Sequence, residues 1–143
     1  MRADAQTQAA VECVLDRFAD AYAKRNVDDI LTLFVPEADV ALIGTGADER
    51  RLGLSAIRRQ VERNLDQAES VHWNWMWDTV SRIGPVAWVT ADAMIRVIDG
   101  QDINLPVRLT AVMEEVDGSW RIAQMHVSMA ALNQEEGQSF PCD

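Results

Sequence analysis

Cysteine is nearly absent from this 143-residue chain: there are two, Cys13 and Cys142, far apart in sequence. They cannot make a disulfide framework or a four-ligand zinc site. Histidine is equally scarce, with only His72 and His126, and no His-x-x-x-His spacing or clustered carboxylates accompany them. No metal ligand set is expected, and no cofactor is expected either, since no phosphate-cradling glycine loop or serine elbow is present. Basic residues are also few. Thirteen Lys and Arg against 23 Asp and Glu leave a net charge of −10, which repels phosphate backbones and anionic lipid. Neither nucleic acid nor a membrane is therefore an expected partner. No apolar run approaches spanning length and the first ten residues lack the apolar core of a leader, so a cytoplasmic location is the expectation.

What is present is ample apolar residue, 48% of the chain, in two distinct periodicities. From about Thr7 to Arg25, Val11, Val14, Leu15, Phe18 and Tyr22 form one stripe of an amphipathic helix. Asp28 is the expected cap of a short second helix with Ile30, Leu31, Leu33 and Phe34, ending near Pro36. A strand is predicted over 39–43, then a third helix after Gly53 carrying Ile57, Val61 and Leu65. Beyond Ser70 the period changes to two. Long strands are predicted over 71–83, 86–98, 103–116 and from Trp120 to about Leu132, with Gly84-Pro85, Gly100 and Asp117-Gly118 at the turns. Helices followed by successive hairpins mean α+β: a bent, mainly antiparallel sheet wrapped around N-terminal helices. One domain spans 1–132, and 133–143 is expected to be a flexible tail.

With Ile83 opposite Val86, simple alternation puts Trp73, Trp75 and Trp77 on one face with Trp88, Met94 and Arg96. His72, Asn74, Met76 and Asp78 then share the other face with Ala87, Val89, Ala91 and Ala93. The alanine face is expected to be concave and to shelter the helices. The tryptophan face is expected to be convex and to form a homodimer interface. A one-residue slip in register would exchange the two faces.

Three passages resemble the SnoaL-like branch of the NTF2-like superfamily. They are AYAKRNVDDILTLFVPEADV near the start, Gly53-Leu54-Ser55-Ala56-Ile57, and Arg108-Leu109-Thr110 with Asp117-Gly118-Ser119-Trp120-Arg121-Ile122 and His126-Val127-Ser128. The resemblance implies a cone-shaped fold with a small-molecule pocket, but no one activity. Ketosteroid isomerases of that superfamily use a helix tyrosine and a strand aspartate; the matching positions here are Phe18 and Leu42. Neither can hydrogen-bond or take a proton, so the resemblance does not carry that mechanism over. The chain's end also resembles the association domain of calcium/calmodulin-dependent protein kinase II, where a basic pocket residue stands; here that position is Ala111.

Two residues stand out as possible acid–base groups. His126 shares strand parity with Trp120 and Ile122, so alternation aims it inward, where an imidazole can act near neutral pH. A neutral core histidine, bonded to a carbonyl or to Ser128, is the structural alternative. Asp78, over Ala91 and Ala93, is expected to be desolvated with its pKa raised, or else solvated at the rim. Phe18, Tyr22, Asn74 and Met76 complete the expected ligand contacts, with Arg108 directed to the tryptophan face. A small-molecule pocket protein of unknown ligand follows, either a cofactor-free acid–base enzyme or a non-catalytic binding or oligomerisation module.

Overall fold

The computed structural model describes residues 1–142 and places three helices in the hollow of a strongly bent sheet. The first helix, α1 (Ala5–Ala23), starts at Asp4, whose carboxylate accepts from the Thr7 amide at 2.7 Å. Its apolar stripe of Val11, Val14, Leu15, Phe18 and Tyr22 is buried as the spacing predicts. The short α2 (Val27–Leu31) is capped by Asn26, not Asp28, because the Asn26 side chain accepts from the Asp29 amide. Arg25, in a left-handed conformation, donates to the carbonyls of Leu65, Ala68 and Glu69. It thus ties the end of α1 to the end of α3 (Leu54–Asp66).

The strands are β1 (Ala41–Ile43), β2 (Arg50–Leu52), β3 (Ser70–Ile83), β4 (Val86–Ile98), β5 (Asp102–Val116) and β6 (Ser119–Ser128). They form one sheet in the order β2-β1-β6-β5-β4-β3, antiparallel except where β1 runs parallel to β6. The short β2 is absent from the sequence reading, since three residues reading Arg-Arg-Leu carry no alternation signal. Arg2 bridges Ser81, so the extreme N-terminus extends the outer edge of β3.

The turns hold as predicted: Ile83 pairs with Val86 and Val116 with Ser119. The concave face is the alanine face, with Ala87, Val89, Ala91 and Ala93 all buried beneath the helices. Alternation nevertheless breaks twice. On β3, Trp77 pairs with Asp92 but Trp75 with Ala93, leaving Met76 as an extra residue in a β-bulge. On β6, Ile122 pairs with Met113 but Gln124 with Val112, leaving Ala123 as the extra residue. A bulge shifts the pairing by one, so every side chain beyond it moves to the other face. The same insertions sharpen twist and bend, which helps a single sheet curl around a helix.

The face assignments made by simple alternation are therefore corrected for part of each strand. Trp73 and Trp75 lie on the concave side, opposite Ile95 and Ala93, while His72 and Asn74 face outward. Trp77 remains on the convex side and Met76 is exposed at the bulge. Asp78 keeps its concave placement, opposite Ala91.

Candidate functional site

Between α1, α3, β1 and the first half of β3 lies a cavity of about 270 Å3. Its apolar wall includes Phe18, Trp73, Ile95, Val97 and Leu105, with Met125 and Val127 from β6. The first bulge is what supplies Trp73, and the second supplies Met125 and Val127. Phe18, Tyr22, Trp73 and Trp75 form an aromatic row, with ring centroids 5.0 Å apart for Phe18–Tyr22 and 5.3 Å for Phe18–Trp73. Trp75 reaches past the cavity and donates its indole N–H to the Leu15 carbonyl at 3.1 Å. The Trp73 indole N–H is sealed from solvent without an oxygen partner, edge to face with the Phe18 ring.

One side of the cavity is polar. Glu49, Gln60, Asn64 and the Tyr22 ring all line it. Gln60 is only 2% exposed, a polar side chain held deep on the inner face of α3. Arg51 Nε donates to Gln60 Oε1 at 3.0 Å, and Gln60 Nε2 donates to Glu49 Oε1 at 2.7 Å and Asn64 Oδ1 at 2.8 Å. Asn64 Nδ2 donates to the Tyr22 oxygen at 3.3 Å. Glu49 is held further by Arg63 at 3.4 Å and by the backbone amide of Gly46. A Cβ on Gly44 or Gly46 would come within 2.8 Å of the Glu49 carboxylate, so glycine there is what lets it fold back against the loop.

Burial pushes the Tyr22 phenol up to about 12; the Asn64 hydrogen bond opposes that rise and the nearby Glu49 charge adds to it. The phenol is therefore neutral at any physiological pH.

Of the residues singled out from sequence, Phe18 and Tyr22 line this cavity. Asn74 and Met76 do not, because the bulge turns one outward and leaves the other exposed at the sheet surface. His126 is neither a pocket residue nor a core histidine. Past the Ala123 bulge it lies exposed on the convex face, opposite Thr110, while its neighbours Met125 and Val127 point in. Arg108 is also convex, as expected, and so shares a face with His126 instead of opposing it.

Asp78 is under α1, away from the cavity wall, with its Oδ1 buried and unpartnered. Burial raises its pKa first, then the negative charges of Glu12 and Asp16 on α1. Glu12 also favours the neutral Asp78 carboxyl as a hydrogen-bond partner. Among the described residues, no three of His, Cys, Asp and Glu gather to hold a metal ion, and no helix is long and apolar enough to cross a membrane.

Sequence reasoning missed Glu49, Gln60, Asn64 and Trp73. A signal for two of them was present. Gln60 and Asn64, four apart, fall beside the stripe of Ile57, Val61 and Leu65, which is polar side chain on a face that must be buried.

A bent sheet cupping helices around a pocket is the architecture of the NTF2-like cone proteins. The chain belongs to the SnoaL-like domain family, whose model matches residues 11–132. Solved structures agree on the fold. A candidate dehydratase of the NTF2-like family from Streptomyces avermitilis superposes with a TM-score of 0.79 at 19% identity, covering 86% of this chain and 95% of that one. A candidate aromatic ring hydroxylase from Novosphingobium aromaticivorans gives a TM-score of 0.82 at 14% identity, covering 91% and 93%. A candidate calcium/calmodulin-dependent protein kinase II association domain from Xanthomonas campestris gives 0.78 at 24% identity, covering 91% and 90%. At such identities the likeness shows the fold alone. No curated protein matches the chain.

Proposed function

We propose that this protein binds a small, largely apolar molecule of one or two rings in the cavity at the open end of the cone. The observation that carries it is the cavity itself: about 270 Å3, aromatic and aliphatic on most sides, with one polar edge. A dry cavity of roughly 150 Å3 is enough for benzene, so this one has room for a second ring or a substituent. Binding without turnover fits the residues better than acid–base chemistry. Neither His126 nor Asp78 reaches the cavity, and the carboxylate that does, Glu49, has its oxygens engaged by Gln60, Arg63 and the Gly46 amide.

Thermal melting against a library of one- and two-ring aromatic fragments tests it. Binders should raise the melting temperature in proportion to the logarithm of their concentration, by mass action. Val97→Phe, which fills the wall, should fold and lose the response. A library in which no fragment shifts the wild-type melt would sink the proposal.

A second reading concerns assembly. Trp77 is 53% exposed on the convex face opposite Asp92, with Met94 half-buried diagonally across on β4 and Trp88 half-buried further along that strand, beyond Thr90. Exposed and half-buried aromatic side chains set among polar ones support pairing of two copies of the chain through the sheet, with Trp77 and Trp88 in place of the Trp73/Trp75/Trp77 row expected from sequence.

A further inference from the structure

The polar edge of the cavity is a hydrogen-bond chain with a fixed direction, and that direction decides what Tyr22 offers a ligand. Gln60 sits between a cation and an anion. Its oxygen accepts from the Arg51 guanidinium, and its amide nitrogen donates to the Glu49 carboxylate. Turning that amide around would set N–H against N–H and oxygen against carboxylate, losing two charge-assisted bonds at once. Because Gln60 Nε2 also donates to Asn64 Oδ1, Asn64 is turned with its amide hydrogens toward Tyr22. The phenol oxygen is therefore an acceptor toward the protein. Its own hydrogen has no acceptor among the described residues, and Tyr22, 4% exposed, lines the cavity.

The charge around this donor narrows the ligand further. Glu49 lines the cavity as an anion, while the nearby Arg51 and Arg63 are engaged by Gln60, Asp48 and Glu49. A ligand carboxylate would meet that negative charge with no uncommitted cation opposite it. A neutral acceptor meets only the O–H dipole.

We infer that the polar end of the ligand is a neutral carbonyl oxygen, of a ketone, quinone, ester or amide, that accepts the Tyr22 O–H. Asn64 is the positioning residue that holds the phenol in its donor orientation. Both statements rest on the cavity reading above. The phenol polarises such a carbonyl without giving up its proton, since it stays neutral well above physiological pH.

Titration calorimetry with 1-tetralone, tetralin and tetralin-1-carboxylate, and with the smaller pair acetophenone and ethylbenzene, tests the assignment. The wild type should bind each ketone about five- to tenfold more tightly than its hydrocarbon, the yield of one net hydrogen bond, and the carboxylate most weakly. Tyr22→Phe should abolish the ketone advantage while leaving hydrocarbon affinity within about twofold, because only the hydroxyl is lost. Asn64→Asp keeps the phenol but gives it an acceptor in the protein, so the advantage should vanish there too. Equal affinities for ketone and hydrocarbon in the wild type, or an advantage that survives Tyr22→Phe, overturns the carbonyl assignment and leaves the cavity standing. An advantage lost in Tyr22→Phe but kept in Asn64→Asp overturns the positioning role alone. Binding of neither hydrocarbons nor ketones overturns the cavity reading and this inference together.

Discussion

Trp75 and Trp77 stand two residues apart on one strand and face opposite sides of the sheet. Trp75 packs beneath α1, its N–H bonded to the Leu15 carbonyl, while Trp77 projects from the convex surface. Met76 between them is the unpaired residue of a bulge.

That relationship predicts unequal costs for two equal truncations. Trp75→Ala removes a ring packed against the core together with its N–H bond to the Leu15 carbonyl, and should cost about 2–4 kcal/mol. Trp77→Ala, measured on the monomer, should stay within about 0.5 kcal/mol of wild type. Urea denaturation of both variants decides it, and similar costs would contradict the bulge.

If the convex face joins two copies, Trp77→Glu should break them apart without unfolding either. Analytical ultracentrifugation at micromolar concentration should show a dimer for the wild type and a monomer for the variant, with unchanged far-UV circular dichroism. A wild-type monomer would refute the assembly.

Tyr22 predicts a specific weakness at high pH. Its pKa is about 12 in the folded protein against 10.0 ordinarily, so the folded state holds the proton more tightly. The stability this contributes is fully present below pH 10 and is lost as pH rises toward 12. Two units correspond to about 2–3 kcal/mol. Tyr22→Phe should be markedly less sensitive between pH 10 and 12, read by melting temperature in that window.

Asp78 predicts a gain of stability by mutation. Its pKa is raised in the fold, by burial and by Glu12 and Asp16, so its favourable contribution exists in acid and is lost as pH rises through the raised value. At pH 7 the carboxylate is a liability under α1. Asp78→Asn should add about 1 kcal/mol there, a melting-temperature rise of roughly 2–4 °C, and the gain should shrink toward pH 4. A loss of stability at pH 7 would show that Asp78 holds a favourable partner.

Much of this was open to reading from the chain alone, and the misreadings have a common cause. His72 and Asn74 are polar at even positions, whereas Thr79 and Ser81 are polar at odd ones. Trp120 and Ile122 are apolar at even positions, whereas Met125 and Val127 are apolar at odd ones. Each change of phase marks a bulge. Read without it, alternation carried Asn74 and His126 to the wrong faces.

Local order in the sequence determined the helices, the hairpin turns and the concave alanine face, because periodicity and turn chemistry act over a few residues. Which tryptophan enters the core, and how Glu49, Gln60, Asn64 and Tyr22 meet across segments up to 42 residues apart, only the tertiary structure decided. Register beyond a bulge depends on the partner strand, and a hydrogen bond's direction depends on charges brought in from elsewhere in the chain.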